Sequence, residues 1–225
     1  MFNNKKKIIY IPIGRGCHTA MHLNILGLRK CSYPMDWLIP SDKNEVMETR
    51  FEYLMGNFKG FLEKKDLIPY ENKHDTVHKL SVHNQYSDLW FHHDFKDLNK
   101  FSKEFKSIKK KYNRRCKRLI YDIKHAKEVR LIYMQNTWDH KDEILTTFSD
   151  TYLQSLMYRL KSKYPKQNIK LYIFQNDCNI EKLHYQKFKI NNNITRFVSN
   201  HSYTQNDESG AMTLSIDKIF KEEIL

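Results

Sequence analysis

The stretch Lys7–Trp37, KIIYIPIGRGCHTAMHLNILGLRKCSYPMDW, constrains the fold more than any other part of the chain. Ile8, Ile9, Ile11 and Ile13 form an apolar, β-branched run, the pattern of a strand with little exposed surface. Gly14 and Gly16 flank Arg15 and allow a sharp turn that a Cβ would obstruct. From about Cys17 the pattern becomes helical, with Ala20, Leu23 and Leu26 in step and Gly27 near the C-terminal end. Cys17 therefore falls at or beside a helix N-terminus, where free N–H groups and the macrodipole favour a thiolate. A cysteine so placed is a candidate nucleophile. The competing reading is a small packed core residue.

Further along, Pro34–Trp37 reads as a turn, and Asp42–Phe58 as a helix with Val46, Met47, Phe51 and Leu54 on its apolar face. Phe61–Tyr86 is polar and carries little pattern beyond a short strand at Lys79–Val82. The segment Asp88–Phe95 mixes large aromatics with ionisable groups and approaches the core. Asp97–His125 is the clearest helix, with Phe101, Phe105, Ile108, Tyr112, Cys116, Leu119 and Ile123 on one stripe and a basic remainder. Val129–Met134 and Ile169–Phe174 read as strands on either side of a helix over Asp142–Tyr164. That order is a βαβ unit with parallel strands. Arg196–Ser199 suggests another strand and Leu214–Leu225 a terminal helix. The reading is one α/β domain over 1–225, with a central, mostly parallel, Rossmann-like sheet flanked by helices.

Ligands of open parallel sheets bind beyond the carboxyl ends of the strands. Here those ends are Gly14-Arg15-Gly16-Cys17, the run from Gln135 to His140, and Gln175–Cys178. If the strands are parallel, Cys17, Asn136, His140 and Asp177 share one edge. Polar strand ends that simply meet solvent are the plainer alternative.

Composition bounds the partners. The four cysteines are irregularly spaced with no CxxC, which suggests free thiols in a reducing, cytoplasmic setting. No apolar run is long enough for a signal peptide or membrane span. A net charge of +13 favours anionic partners.

From Cys17 onward the chain resembles the family of papain-like cysteine peptidases. The matching elements are Cys17, Ala20, Leu23, Gly27-Leu28-Arg29, Asp36-Trp37, His93-Asp94-Phe95 and Tyr112-Asn113-Arg114-Arg115, then the strand Leu131–Met134. Met35 departs from the pattern, which usually has Phe or Leu before the DW pair. The resemblance runs to about residue 135. It implies that Cys17 is the nucleophile and His93 the general base, with a carboxylate or amide orienting the imidazole. Asp36, Asp94 and, from the strand-end argument, Asp177 are the orienting candidates; His140 is the reserve base, and His92 competes with His93. Arg15, Gly16, Trp37 and Asn136 flank these positions as candidate substrate contacts. The implied reaction cleaves or transfers an acyl group of a protein, peptide or other substrate and needs no cofactor.

Asp36 has a structural alternative as an Asx-turn. Gly14-Arg15-Gly16 imitates a dinucleotide turn, but no acidic residue ends a second strand roughly 20 residues on. His18 and His22 have the spacing of a zinc motif, yet Thr19 stands where HExxH has glutamate, so no metal site is read. A Gly-x-Ser-x-Gly elbow is absent. The alternative function is a non-catalytic α/β module that binds a polyanion such as nucleic acid through Arg114, Arg115 and Arg118.

Overall fold

The computed structural model describes residues 7–14, 16–40, 46–71, 80–135, 148–181, 183–200 and 211–225. The strands are β1 (Ile8–Pro12), β2 (Leu38–Pro40), β3 (Leu67–Glu71), β4 (Leu80–Asn84), β5 (Leu89–Phe91), β6 (Glu128–Met134), β7 (Asn168–Asn176), β8 (Tyr185–Asn191) and β9 (Ile194–Ser199). The helices are α1 (His18–Ile25), α2 (Val46–Met55), α3 (Phe101–His125), α4 (Asp150–Lys163) and α5 (Ala211–Ile219).

The three strands expected to lie parallel do so. The main sheet has the order β1-β6-β7-β9-β8; β1, β6, β7 and β9 are parallel, and β8 closes the far edge antiparallel. Successive side chains alternate between its faces. Ile11, Leu131, Leu171 and Ile194 stand in register as one fully buried rung on the side of α3 and α4. On the opposite face Met134, Phe174 and Phe197 form another rung under α1 and α5, meeting Leu23, Ile216, Ile219 and Phe220. Each such side chain contributes about 2 kcal/mol by leaving water, and together they fix the register.

A second sheet, β2-β5-β4-β3, is antiparallel throughout, and of it the sequence showed only β4, as the short strand at Lys79–Val82. Its inward residues Leu38, Leu80, Val82 and Phe91 join the same apolar cluster as β1 and β6, so the two sheets share a core. This sheet delivers the Asp88–Phe95 segment to α3, where Phe91 meets Tyr112 edge to face and Tyr112 OH donates to Asp94.

Helix α3 buries the expected stripe. A 3-10 turn over Leu98–Lys100 precedes it, with the Asp97 carboxylate accepting from Asn99 N at 2.9 Å. Cys116 lies in that stripe, where burial pushes its thiol up to about 12. Helix α4 begins at Asp150, capped by Ser149, later than the expected Asp142; residues 136–147 lie outside the described residues. Among the described residues no helix is long and apolar enough to cross a membrane.

Candidate active site

Cys17 is the N-cap of α1: its carbonyl accepts from Met21 N at 2.9 Å, and its side chain is half-buried. Two glycines make this placement possible, for different reasons. A Cβ on Gly14 would lie 2.0 Å from Thr19 Oγ1 and 2.8 Å from Met134 N, so the turn packs against α1 and β6 with no room for a side chain. Gly16 has φ +68, in the left-handed region that L side chains avoid. Its amide donates to Leu38 O at 3.3 Å, which ties the cysteine turn to β2. Burial raises the Cys17 pKa, and backbone hydrogen bonding opposes it. Burial therefore works against the thiolate that the helix N-terminus favours.

The Gly27-Leu28-Arg29 element ends α1. Gly27, at φ +68, and Leu28 donate backbone bonds to Asn24 O and Leu23 O, forming a Schellman cap. Arg29 then donates from Nε (3.0 Å) and Nη2 (2.6 Å) to Asp36 Oδ2, which also accepts from Tyr33 N at 3.0 Å. Asp36 is fully buried, and burial raises its pKa despite Arg29. Its second oxygen, Oδ1, is buried without a hydrogen-bond partner. The Arg29 guanidinium also sits 5.9 Å from the Trp37 ring. This carboxylate locks the turn from its C-terminal side, by accepting from Tyr33 and Arg29 rather than as an Asx-turn.

Arg50, which the sequence reading missed, completes the lock. It is fully buried on α2 and donates to Met35 O (2.9 Å) and Leu38 O (2.8 Å), bracketing Asp36 and Trp37. The available signal was its position. Arg50 falls between Met47, Phe51 and Leu54 on the apolar face of the helix, where a charge needs a reason.

β2 pairs with β5 through Leu38–Phe91 and Ile39–Trp90, so the chain leaving β5 passes Trp37. The Trp37 and His93 rings meet edge to face, 5.5 Å between centroids. Cys17 and His93 are thus attached to adjacent residues of one segment, through Gly16–Leu38 and Trp37 respectively. His93 is exposed. His92 is engaged elsewhere, its Nδ1 2.7 Å from Ser81 Oγ and its ring stacked 5.8 Å from Trp90.

Asp94 is committed to α3. Lys111 bonds one of its oxygens and Tyr112 OH donates to the other at 2.7 Å, while Phe95 packs on Phe101. Tyr112 in turn lies under the Arg115 guanidinium at 5.3 Å. Arg118 donates to Ser32 O. Of the three arginines considered for a polyanion, Arg114 is exposed, whereas Arg115 and Arg118 are half-buried and serve internal contacts.

Gly14, Gly16 and Cys17, with Gln135 and Asn176-Asp177, do share the carboxyl edge of the sheet, and Asn176 N donates to Gln135 Oε1 at 3.0 Å. Asp177 is turned into a local loop, accepting from Asn179 N at 2.9 Å. β7 also lies two strand spacings, about 10 Å, from β1. Arg15, Asn136 and His140 lie outside the described residues. His22 pairs with Asp217 at 3.0 Å, and no group of three or more His, Cys, Asp or Glu side chains among the described residues could hold a metal.

The ordered motifs of the resemblance thus meet in space: Arg29 with Asp36, Trp37 with His93, and Asp94 with Tyr112. The family described as putative papain-like cysteine peptidase (DUF1796) matches residues 8–172. The chain belongs to this family. The peptidase-family match runs from β1 into β7, beyond the residue 135 at which the sequence resemblance stops. No curated protein and no solved structure matches the chain.

Proposed function

We propose that this member of the family is a cysteine-dependent acyl hydrolase in which Cys17 is the nucleophile and His93 the general base. The observation that carries the reading is the attachment of both residues to the Trp37-Leu38 segment. With burial pushing the Cys17 thiol up, the base acts during the reaction rather than holding a thiolate beforehand. The imidazole takes the thiol proton as sulfur adds to the acyl carbon. The resulting oxyanion draws on the positive N-terminal end of α1. When the tetrahedral intermediate collapses, the imidazolium returns its proton to the departing amine, alcohol or thiol. Water, deprotonated by the same imidazole, then hydrolyses the thioester and regenerates the thiol.

In this scheme Asp36 and Asp94 position the two catalytic segments: Asp36 holds the turn beside Cys17, and Asp94 anchors the loop behind His93. The test is hydrolysis of a panel of fluorogenic amide, ester and thioester substrates. Cys17→Ala should abolish turnover, and His93→Ala should lower it at least about a hundredfold. Turnover that survives Cys17→Ala would end the proposal.

A further inference from the structure

A second feature lies at the opposite, amino-terminal end of β1 and β6. A cavity of about 700 Å³ opens there between the start of β1, the loop after α1, the C-terminal end of α3 and the α4–β7 connection. That volume is within the usual size of small-molecule sites, roughly 300–1,000 Å³. Five lysines from these segments line it: Lys7, Lys30, Lys124, Lys127 and Lys166. Asp122 is the one acidic residue on its wall, and it already accepts from Tyr33 OH at 2.9 Å.

Lysine is abundant in this chain, so number alone carries little. The arrangement carries more. Lys124 has a local reason to be present, in the last turn of α3 where the macrodipole favours cations. Lys7, Lys30, Lys127 and Lys166 lie outside helices and gain nothing from such a dipole. Lys7 and Lys30 even face each other closely enough that the Lys7 ammonium depresses the Lys30 pKa. Two like charges held together at a cavity wall are relieved by an anion that bridges them. Tyr121, which also lines the cavity, is exposed and stacks on His125 at 4.0 Å.

We propose that this cavity binds a polyphosphate group, carried either by a nucleoside triphosphate or by inorganic tripolyphosphate. The charges come from four separate segments around the cavity, which suits a chain of phosphates better than a single one. The site is separate from Cys17 and does not depend on the hydrolase reading.

The experiment is isothermal titration with ATP and with tripolyphosphate at physiological ionic strength. It compares the wild-type chain, Lys7→Gln/Lys30→Gln, and a matched control, Lys106→Gln/Lys110→Gln, on the outer face of α3. All four lysines are exposed, so each variant loses the same charge without disturbing the core. The cavity variant should weaken binding roughly tenfold, about 1.4 kcal/mol, while the control leaves it unchanged. Tyr121→Ala identifies the source: loss of ATP affinity alone assigns a nucleotide, and no loss for either ligand assigns inorganic polyphosphate. Equal losses in the cavity and control variants would reduce the effect to general charge attraction and overturn the proposal. So would the absence of wild-type binding to both probes.

Discussion

Arg50 and Gly16 converge on one oxygen. The Leu38 carbonyl accepts from Gly16 N at 3.3 Å and from Arg50 Nη2 at 2.8 Å, using both of its lone pairs. The nucleophile turn is therefore braced by a cation wholly out of solvent. Burial lowers the Arg50 pKa to about 10, so it keeps its charge at neutral pH. That charge is tolerated because two backbone carbonyls, both otherwise buried, need it.

Replacing Arg50 with Met should preserve volume while stranding the Met35 carbonyl and leaving the Leu38 carbonyl to Gly16 N alone. Loss of two charge-assisted hydrogen bonds predicts about 3 kcal/mol of destabilisation. Arg50→Lys, which keeps the charge but not the fork, should lose less. Urea unfolding of the three proteins measures both. A change below about 1 kcal/mol in Arg50→Met would remove Arg50 from its bracing role.

Gly14 and Gly27 separate packing from backbone strain. Gly14→Ala forces a Cβ against Thr19 and the Met134 backbone, so the turn must move, at a cost of about 1–3 kcal/mol. Gly27→Ala meets open space but keeps φ +68, which costs about 1 kcal/mol. Only the first should also change the alkylation rate of Cys17, read by peptide mapping after iodoacetamide. Equal effects on Cys17 from both variants would contradict the close packing of the turn.

The pH dependence of Cys17 follows from its burial. A thiol whose folded pKa is raised holds less thiolate at neutral pH than a free thiol, and gains it only as pH climbs past the ordinary range. Iodoacetamide at neutral pH should therefore label exposed Cys178 before Cys17, with the Cys17 rate still rising above about pH 9. A Cys17 profile with its midpoint below about pH 7 would mean that a thiolate–imidazolium pair already exists in the free protein.

Sequence carried the main sheet because β1, β6 and β7 are buried on both faces and so read as continuous apolar runs. It carried α3 because twenty-five helical residues repeat one stripe. Apart from the start of β4, the second sheet was hidden for a physical reason. β2 and β5 have three residues each, too few for a period to emerge, and β4 carries Ser81, His83 and Asn84 among its apolar residues. β8 was missed because it is an exposed edge strand rich in lysine, which guards against further pairing and erases the apolar alternation. At the site, the glycines pointed to Cys17. What Asp36 does depended on Arg29 and Tyr33 closing around it, and Arg50 needed the three-dimensional neighbourhood of Met35 and Leu38.

The central claim is that Cys17 forms an acyl-enzyme with the help of His93. Its most direct test is to mix the protein with p-nitrophenyl acetate, follow the release of nitrophenolate, and locate the acetyl group by peptide mass spectrometry. The account predicts a burst stoichiometric with protein, acetyl on Cys17, no burst in Cys17→Ser, and slower acylation and deacylation in His93→Ala. Acetyl confined to surface lysines and Cys178, with Cys17 unmodified, would contradict it.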